Sequence, residues 1–146
     1  QAQVAKASIG NDHVVVFFDK PINPKEAFLE IKQTLSLDDV NVGILFAKAQ
    51  DFISVVFERG VGFTESCATG ACVAASFLAV LNPALTTKNI MIKQPGGEIE
   101  VNKVKLEQVG EVHMFKITQT AAASAVFTGY WPSNHELIAH EQPKHF

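Results

Sequence analysis

Apolar residues in this chain gather into short dense runs separated by polar turns, and only one stretch stays apolar long enough for a buried helix. Val14-Val15-Val16-Phe17-Phe18 is β-branched and aromatic and predicts a buried strand, preceded by the turn-like Gly10-Asn11-Asp12-His13. Asn23-Pro24-Lys25-Glu26 has the form of a helix start, with Asn23 as the cap, Pro24 at the first helical position and Glu26 able to reach back. Ala27, Phe28, Ile31 and Leu35 then share one face of that helix. Gly43–Ala47 and Phe52–Phe57 predict two strands joined by the polar turn Lys48 to Asp51. From Gly70 to Leu81 no charged residue appears, so this helix is apolar all round and belongs inside the protein, ending at Asn82-Pro83. Further strands are predicted at Ile90–Lys93, Glu98–Val101, Val104–Leu106, Val112–Ile117 and Ala125–Trp131, with a turn at Pro95-Gly96-Gly97. The polar segment from Pro132 to Phe146 is expected to be a loosely held tail or a surface helix around His135 to His140.

Many strands and one wholly apolar helix imply an α+β domain in which antiparallel strands wrap around that helix and bury it. The 146 residues suit one such domain, taken as residues 1–131 with a polar tail at 132–146. Eleven Phe and a hydrophobic fraction of 47% supply a core and argue against disorder. Lys and Arg form no run or stripe, which argues against nucleic acid as a partner. No apolar run has the length of a membrane span and no signal-peptide pattern opens the chain, so a soluble cytoplasmic protein is expected. The two cysteines, Cys67 and Cys72, make neither a stabilising disulfide nor, with His13 and His113 at unrelated spacings, a closed metal site. The first residue is Gln1 rather than Met, which leads to the expectation that this chain derives from a longer product.

The segment Glu58 to Cys72 carries the chemistry. Cys67 stands at the mouth of the apolar helix, after a Gly-rich turn and the charged pair Glu58-Arg59. A helix N-terminus favours the ionised form of a thiol, and the amides of small residues such as Ala68, Thr69 and Gly70 can approach an anion closely. A carboxylate held there would bring its α-carbon near the sulfur. Taking a proton from that carbon requires a base in contact, stabilisation of the developing enolate and exclusion of water. A cysteine near a helix start is by itself more often a small buried hydrophobe. The flanking Gly60, Gly62, Thr64, Thr69 and Gly70 favour a functional reading, because a core helix does not require them. Cys72, inside the helix, is expected to be packing.

Gly62-Phe63-Thr64-Glu65-Ser66-Cys67-Ala68-Thr69-Gly70-Ala71-Cys72 resembles the cysteine signature of the diaminopimelate epimerase family. Gly10-Asn11-Asp12-His13 resembles that family's Gly-Asn-Pro-His turn, Val40-Asn41-Val42-Gly43 its Val-Asn element, and Pro95-Gly96-Gly97-Glu98 its Pro-Gly-Gly turn, all in the family's order from about Ser8 to Tyr130. The resemblance implies that Cys67 is one of two opposed cysteines acting as acid and base on the two faces of an amino acid's α-carbon. It implies that His13 and Glu58 assist thiol ionisation or substrate placement, and that Asn11, Asn41 and Arg59 hold the far end of the substrate, with Glu58 near its ammonium. Ala68 and Thr69 would offer amides to the reacting carboxylate, and neither metal nor pyridoxal cofactor would be needed. The residue types suit such a ligand, since Arg pairs with a carboxylate through two bonds and Asn both donates and accepts.

Asp12 stands where that family has Pro, Phe63 where it has an acid, Ala68 where Gly is usual, and Gln119 where Gly precedes the last strand turn. The resemblance covers only the second of the family's two domains. The partner cysteine is therefore expected on a missing N-terminal domain, the isolated chain is expected to be inactive, and an exposed cleft face would favour association with a second copy. Alternatives are a related cofactor-independent racemase or isomerase with another substrate, and a non-catalytic small-molecule binding module.

Overall fold

The computed structural model describes residues 2–35, 37, 39–125, 127–130 and 138–141. Among the described residues ten strands and two α-helices follow one another as β1 (Ala2–Ser8), β2 (Asp12–Phe18), α1 (Pro24–Thr34), β3 (Asn41–Lys48), β4 (Asp51–Glu58), β5 (Gly62–Thr64), α2 (Ala68–Leu81), β6 (Ile90–Gln94), β7 (Gly97–Val109), β8 (Val112–Ala121), β9 (Phe127–Tyr130) and β10 (Ile138–Glu141). A short 3₁₀ turn, Pro83–Thr87, follows α2. One eight-stranded sheet runs β1-β2-β3-β4-β6-β7-β8, with β5 added to β4.

Nine residues of α2 are buried, from Gly70 through Ser76 and then Leu78 and Ala79. Val15 and Leu45 meet it from one part of the sheet and Ile90, Ile92, Ile99 and Val101 from the other, so the sheet bends around the helix. A helix with no polar stripe must be covered on every side, and its many Ala and Gly let the strands come close. The alternate residues Val14 and Val16, with Val42 and Ile44, point away from α2 and pack under Ala27 and Phe28 of α1. That placement explains why Val14–Phe18 has no polar alternation: β2 is covered on both faces. Asn23 caps α1, its Oδ1 accepting from the Lys25 amide at 3.1 Å, while its Nδ2 donates to the Glu26 carboxylate at 2.8 Å.

The sheet is mixed where antiparallel strands were expected. The pairs β2–β3 and β4–β6 are parallel, because α1 and α2 are the crossovers that join them. β1 has no β-branched run to announce it, yet it pairs with β2 from Ala2↔Phe18 to Ser8↔Asp12. The two predicted strands at Glu98–Val101 and Val104–Leu106 are one long β7, whose ladder to β8 shifts register between Asn102 and Lys105. In the C-terminal segment, Ile138–Glu141 pairs antiparallel with β9 as a strand, not as part of a surface helix, its backbone bonding to that strand instead of within itself. Residues 132–137 and 142–146 of the expected tail, and Val126 and Trp131 of the predicted strand before it, lie outside the described residues. β1 and β8 are the two edges of the curved sheet. A cavity of about 590 Å³ between them and α2 is lined by Ala5, Ala7, Cys72, Phe77, His113 and Phe115, among others.

Candidate active site

The start of β2, the start of β3 and the end of β4 lie side by side. His13 pairs with Asn41, and Val42 with Phe57, which brings Asn41 next to Glu58. Asn11, Asp12, Asn41, Glu58 and Arg59 thereby line one polar cavity of about 190 Å³, although they come from three separate parts of the chain. The Arg59 amide donates to Asn41 Oδ1 at 2.9 Å. The Arg59 guanidinium is half exposed and reaches the Asp39 carbonyl at 3.2 Å and its carboxylate at 3.6 Å. Glu58 accepts from the Thr64 hydroxyl at 2.6 Å across the β4–β5 hairpin. Gly62 closes that hairpin with φ at +101°, a conformation a β-carbon would oppose.

His13 is only 2% exposed, and its Nε2 lies 3.3 Å from Asn11 Oδ1. Burial lowers the imidazole pKa, opposed in part by the negative charges of Glu58 and Asp12. A neutral ring whose Nε2–H donates to Asn11 Oδ1 is the state this environment favours near neutral pH. Asp12, in the position of the family's Pro, thus lies on the cavity wall and beside the histidine.

Cys67 is itself the cap of α2, which begins at Ala68, two residues before the predicted Gly70. Its Sγ accepts from the Gly70 amide at 3.4 Å and lies 3.5 Å from the Thr69 hydroxyl. The sulfur is buried, the residue being 6% exposed. Gly70 is required by this packing, since a β-carbon there would stand 2.8 Å from Val56 Cγ2 and 3.2 Å from the sulfur. Ala68 opens the helix without strain, because Ala49 is the only non-glycine among the described residues with positive φ. Thr69 follows in the first turn beside the sulfur. Phe63, the third unusual residue, fills an aromatic cluster: its ring is 5.3 Å from both Phe28 and Phe57, edge to face, while Phe28 and Phe57 stack at 4.2 Å. The cluster ties β5, and so the approach to Cys67, to α1 and β4.

The predicted residues therefore form two groups at one end of the sheet. Asn11, Asn41, Glu58 and Arg59 surround the polar cavity with His13 behind them, and Cys67, Ala68 and Thr69 form the helix mouth. Among the described residues no hydrogen bond joins His13 to the Cys67 sulfur. Cys72 donates from its thiol to Gln119 Oε1 at 3.2 Å, and burial pushes its pKa up, so it is held as a neutral thiol. Sequence reasoning missed Gln94, 8% exposed, whose side-chain amide bonds both peptide groups of Cys67. A polar residue ending an apolar strand was the one signal available for it. Among the described residues no group of three His, Cys, Asp or Glu side chains could hold a metal ion, and no helix is long and apolar enough to cross a membrane.

No protein-family model matches the chain. Curated relatives do. The chain is 33% identical over 102 residues to diaminopimelate epimerase of Erythrobacter litoralis, covering 66% of this chain and 37% of that protein. It is 32% identical over 131 residues to the Xanthomonas axonopodis enzyme, covering 85% and 42%. It is 39% identical over 97 residues to the enzyme of a Wolbachia species, covering 63% and 37%. The chain thus spans about two fifths of the length of the curated relatives it matches. Among solved structures, a phenazine biosynthesis PhzC/PhzF protein of Clostridium difficile superposes with a TM-score of 0.54 at 18% identity, covering 68% of this chain and 38% of that one. That likeness shows a shared fold.

Proposed function

The chain being a relative of diaminopimelate epimerases, we propose that it is one half of a cofactor-independent amino-acid epimerase interconverting LL- and meso-diaminopimelate. Cys67 acts on one face of the α-carbon. A second cysteine, on a domain outside this chain, acts on the other. The observation that carries the reading is the cap of α2: a cysteine sulfur held beside the first-turn amides, at the same end of the sheet as a polar cavity lined by Asn11, Asn41, Glu58 and Arg59.

The chemistry follows from the side chains. The amides at the helix mouth receive the reacting carboxylate and stabilise the enolate that forms as the α-proton leaves. Cys67 takes or returns that proton on its side of the carbon, and the apolar helix behind it keeps water away. Glu58 receives an ammonium, and Arg59, with Asn11 and Asn41, receives the distal carboxylate. His13, neutral near pH 7, accepts or relays a proton beside Glu58. Inversion needs an acid and a base on opposite faces, and Cys72 cannot be the second because it lies inside the same helix. The isolated chain is therefore inactive in this reading.

The test is α-proton exchange in deuterated water, followed by NMR, with the full-length gene product and its Cys67→Ala variant. Exchange of diaminopimelate alone is the expected result, with inversion and the exchange of the isomer whose α-proton faces Cys67 lost in the variant. Exchange of a different amino acid would replace the substrate, and binding without exchange would leave a binding module.

A further inference from the structure

β5 and β6 share one edge of β4, arriving from opposite directions: β5 pairs antiparallel as far as Val56↔Thr64, and β6 pairs parallel as far as Ile53↔Lys93. Where they meet, Glu65, Ser66 and Cys67 lie in no strand, and the backbone needs other partners. Gln94, the last residue of β6, supplies them. Its Oε1 accepts from the Cys67 amide and from the Ser66 hydroxyl, both at 2.9 Å, and its Nε2 donates to the Cys67 carbonyl at 3.1 Å. The same carbonyl accepts the first helical bond of α2, from the Ala71 amide at 2.9 Å. Two residues further on, the Gly96 amide donates to the Glu65 carbonyl at 2.7 Å. The β6–β7 turn is in this way clamped onto the residues that lead to the sulfur.

We propose that Gln94 is a positioning residue for Cys67: one side-chain amide, 27 residues away in sequence, stands in for a neighbouring strand and fixes the direction in which the sulfur leaves the helix cap. The inference rests on Cys67 being the acid–base group. A thiol is not among the preferred N-cap groups, and its contact to the Gly70 amide is long at 3.4 Å. The cap does not enforce its own geometry well, so an external hold has something to correct. Burial of Gln94 makes its three bonds mutually dependent, because loss of the amide leaves the Cys67 N–H and C=O short of partners in a dry site.

Gln94→Leu removes all three bonds at similar volume, and Gln94→Glu keeps the acceptors while turning the donor into a repelling oxygen. Each variant of the full chain is labelled with iodoacetamide, and modification at Cys67 and Cys72 is read separately by peptide mass mapping. Release of the clamp predicts a Cys67-to-Cys72 labelling ratio that changes by about tenfold or more in Gln94→Leu, with Cys72 labelling and the far-ultraviolet spectrum unchanged. An unchanged ratio, or both cysteines changing together, overturns the proposal. If Gln94→Leu fails to fold, Gln94→Met, which also removes all three bonds at similar volume, is read on the same scale. In the complete enzyme, α-deuteron exchange should lose about tenfold or more in kcat with KM within about twofold, and Gln94→Glu should recover part of it. Unchanged exchange, or a loss confined to KM, overturns the positioning role. If the wild type exchanges no amino acid at all, the epimerase reading fails instead, and the labelling ratio still decides whether the clamp exists.

Discussion

His13 is a residue whose charge state the fold changes. Burial lowers its pKa below the ordinary 6.5, so the unfolded chain takes up its proton at a higher pH than the folded one. As pH falls from above 6.5 toward the lower folded value, protons bind preferentially to the unfolded state and stability declines. Urea unfolding at a series of pH values should show that decline, and His13→Gln should flatten it. A slope identical in both proteins would assign the titration elsewhere. Gly70 makes a second prediction at this scale. Ala in its place gains about 1 kcal/mol of helix propensity. Overpacking against buried Val56 costs about 1–3 kcal/mol, so Gly70→Ala should be net destabilising by up to about 2 kcal/mol in chemical denaturation.

At the scale of elements, β4 organises the site. It carries Glu58 at its end, receives β5 and β6 on one edge, and lies against α2. One of its residues serves none of this: Ser54 is fully buried and its Oγ has no hydrogen-bond partner among the described residues. Ser54→Ala should therefore be neutral or stabilising by up to about 1 kcal/mol, read from the urea midpoint. β5 is too short to hold itself, and the Phe28–Phe57–Phe63 cluster holds it. Phe63→Ala should cost roughly 2–4 kcal/mol, less than a fully buried Phe because the ring is half-buried. It should also loosen the hairpin bond from Thr64 to Glu58, visible as faster amide exchange at residues 62–64. Phe63 could not be recognised from the chain as an anchor, since a Phe in a Gly-rich turn says nothing of which rings will surround it.

For the whole molecule, the curved sheet closes on α2 from both sides and ends at β1 and β8. β1 is short of β-formers, yet Ala5 and Ala7 pack against the core and its ladder covers the edge of β2. Removal of residues 1–8 should expose that apolar edge, so that the truncated chain associates more than the intact one and melts at lower temperature, checked by size-exclusion chromatography and a thermal scan. A truncated chain that eluted and melted unchanged would mean β1 is dispensable. What the sequence by itself determined is which segments are apolar and with what period: the buried strands β2 to β4, the capped α1, the helix that must lie at the centre, and the family motifs around Cys67. Those properties are local, because burial demand is written into every short window. The tertiary structure alone decided which strands run parallel, that β1 and β10 exist, that Asn11, Asn41 and Glu58 meet, and that Gln94 grips Cys67. Pairing and register depend on how distant segments close on one another, and a polar side chain carries no trace of its partner until the backbone has brought that partner within reach.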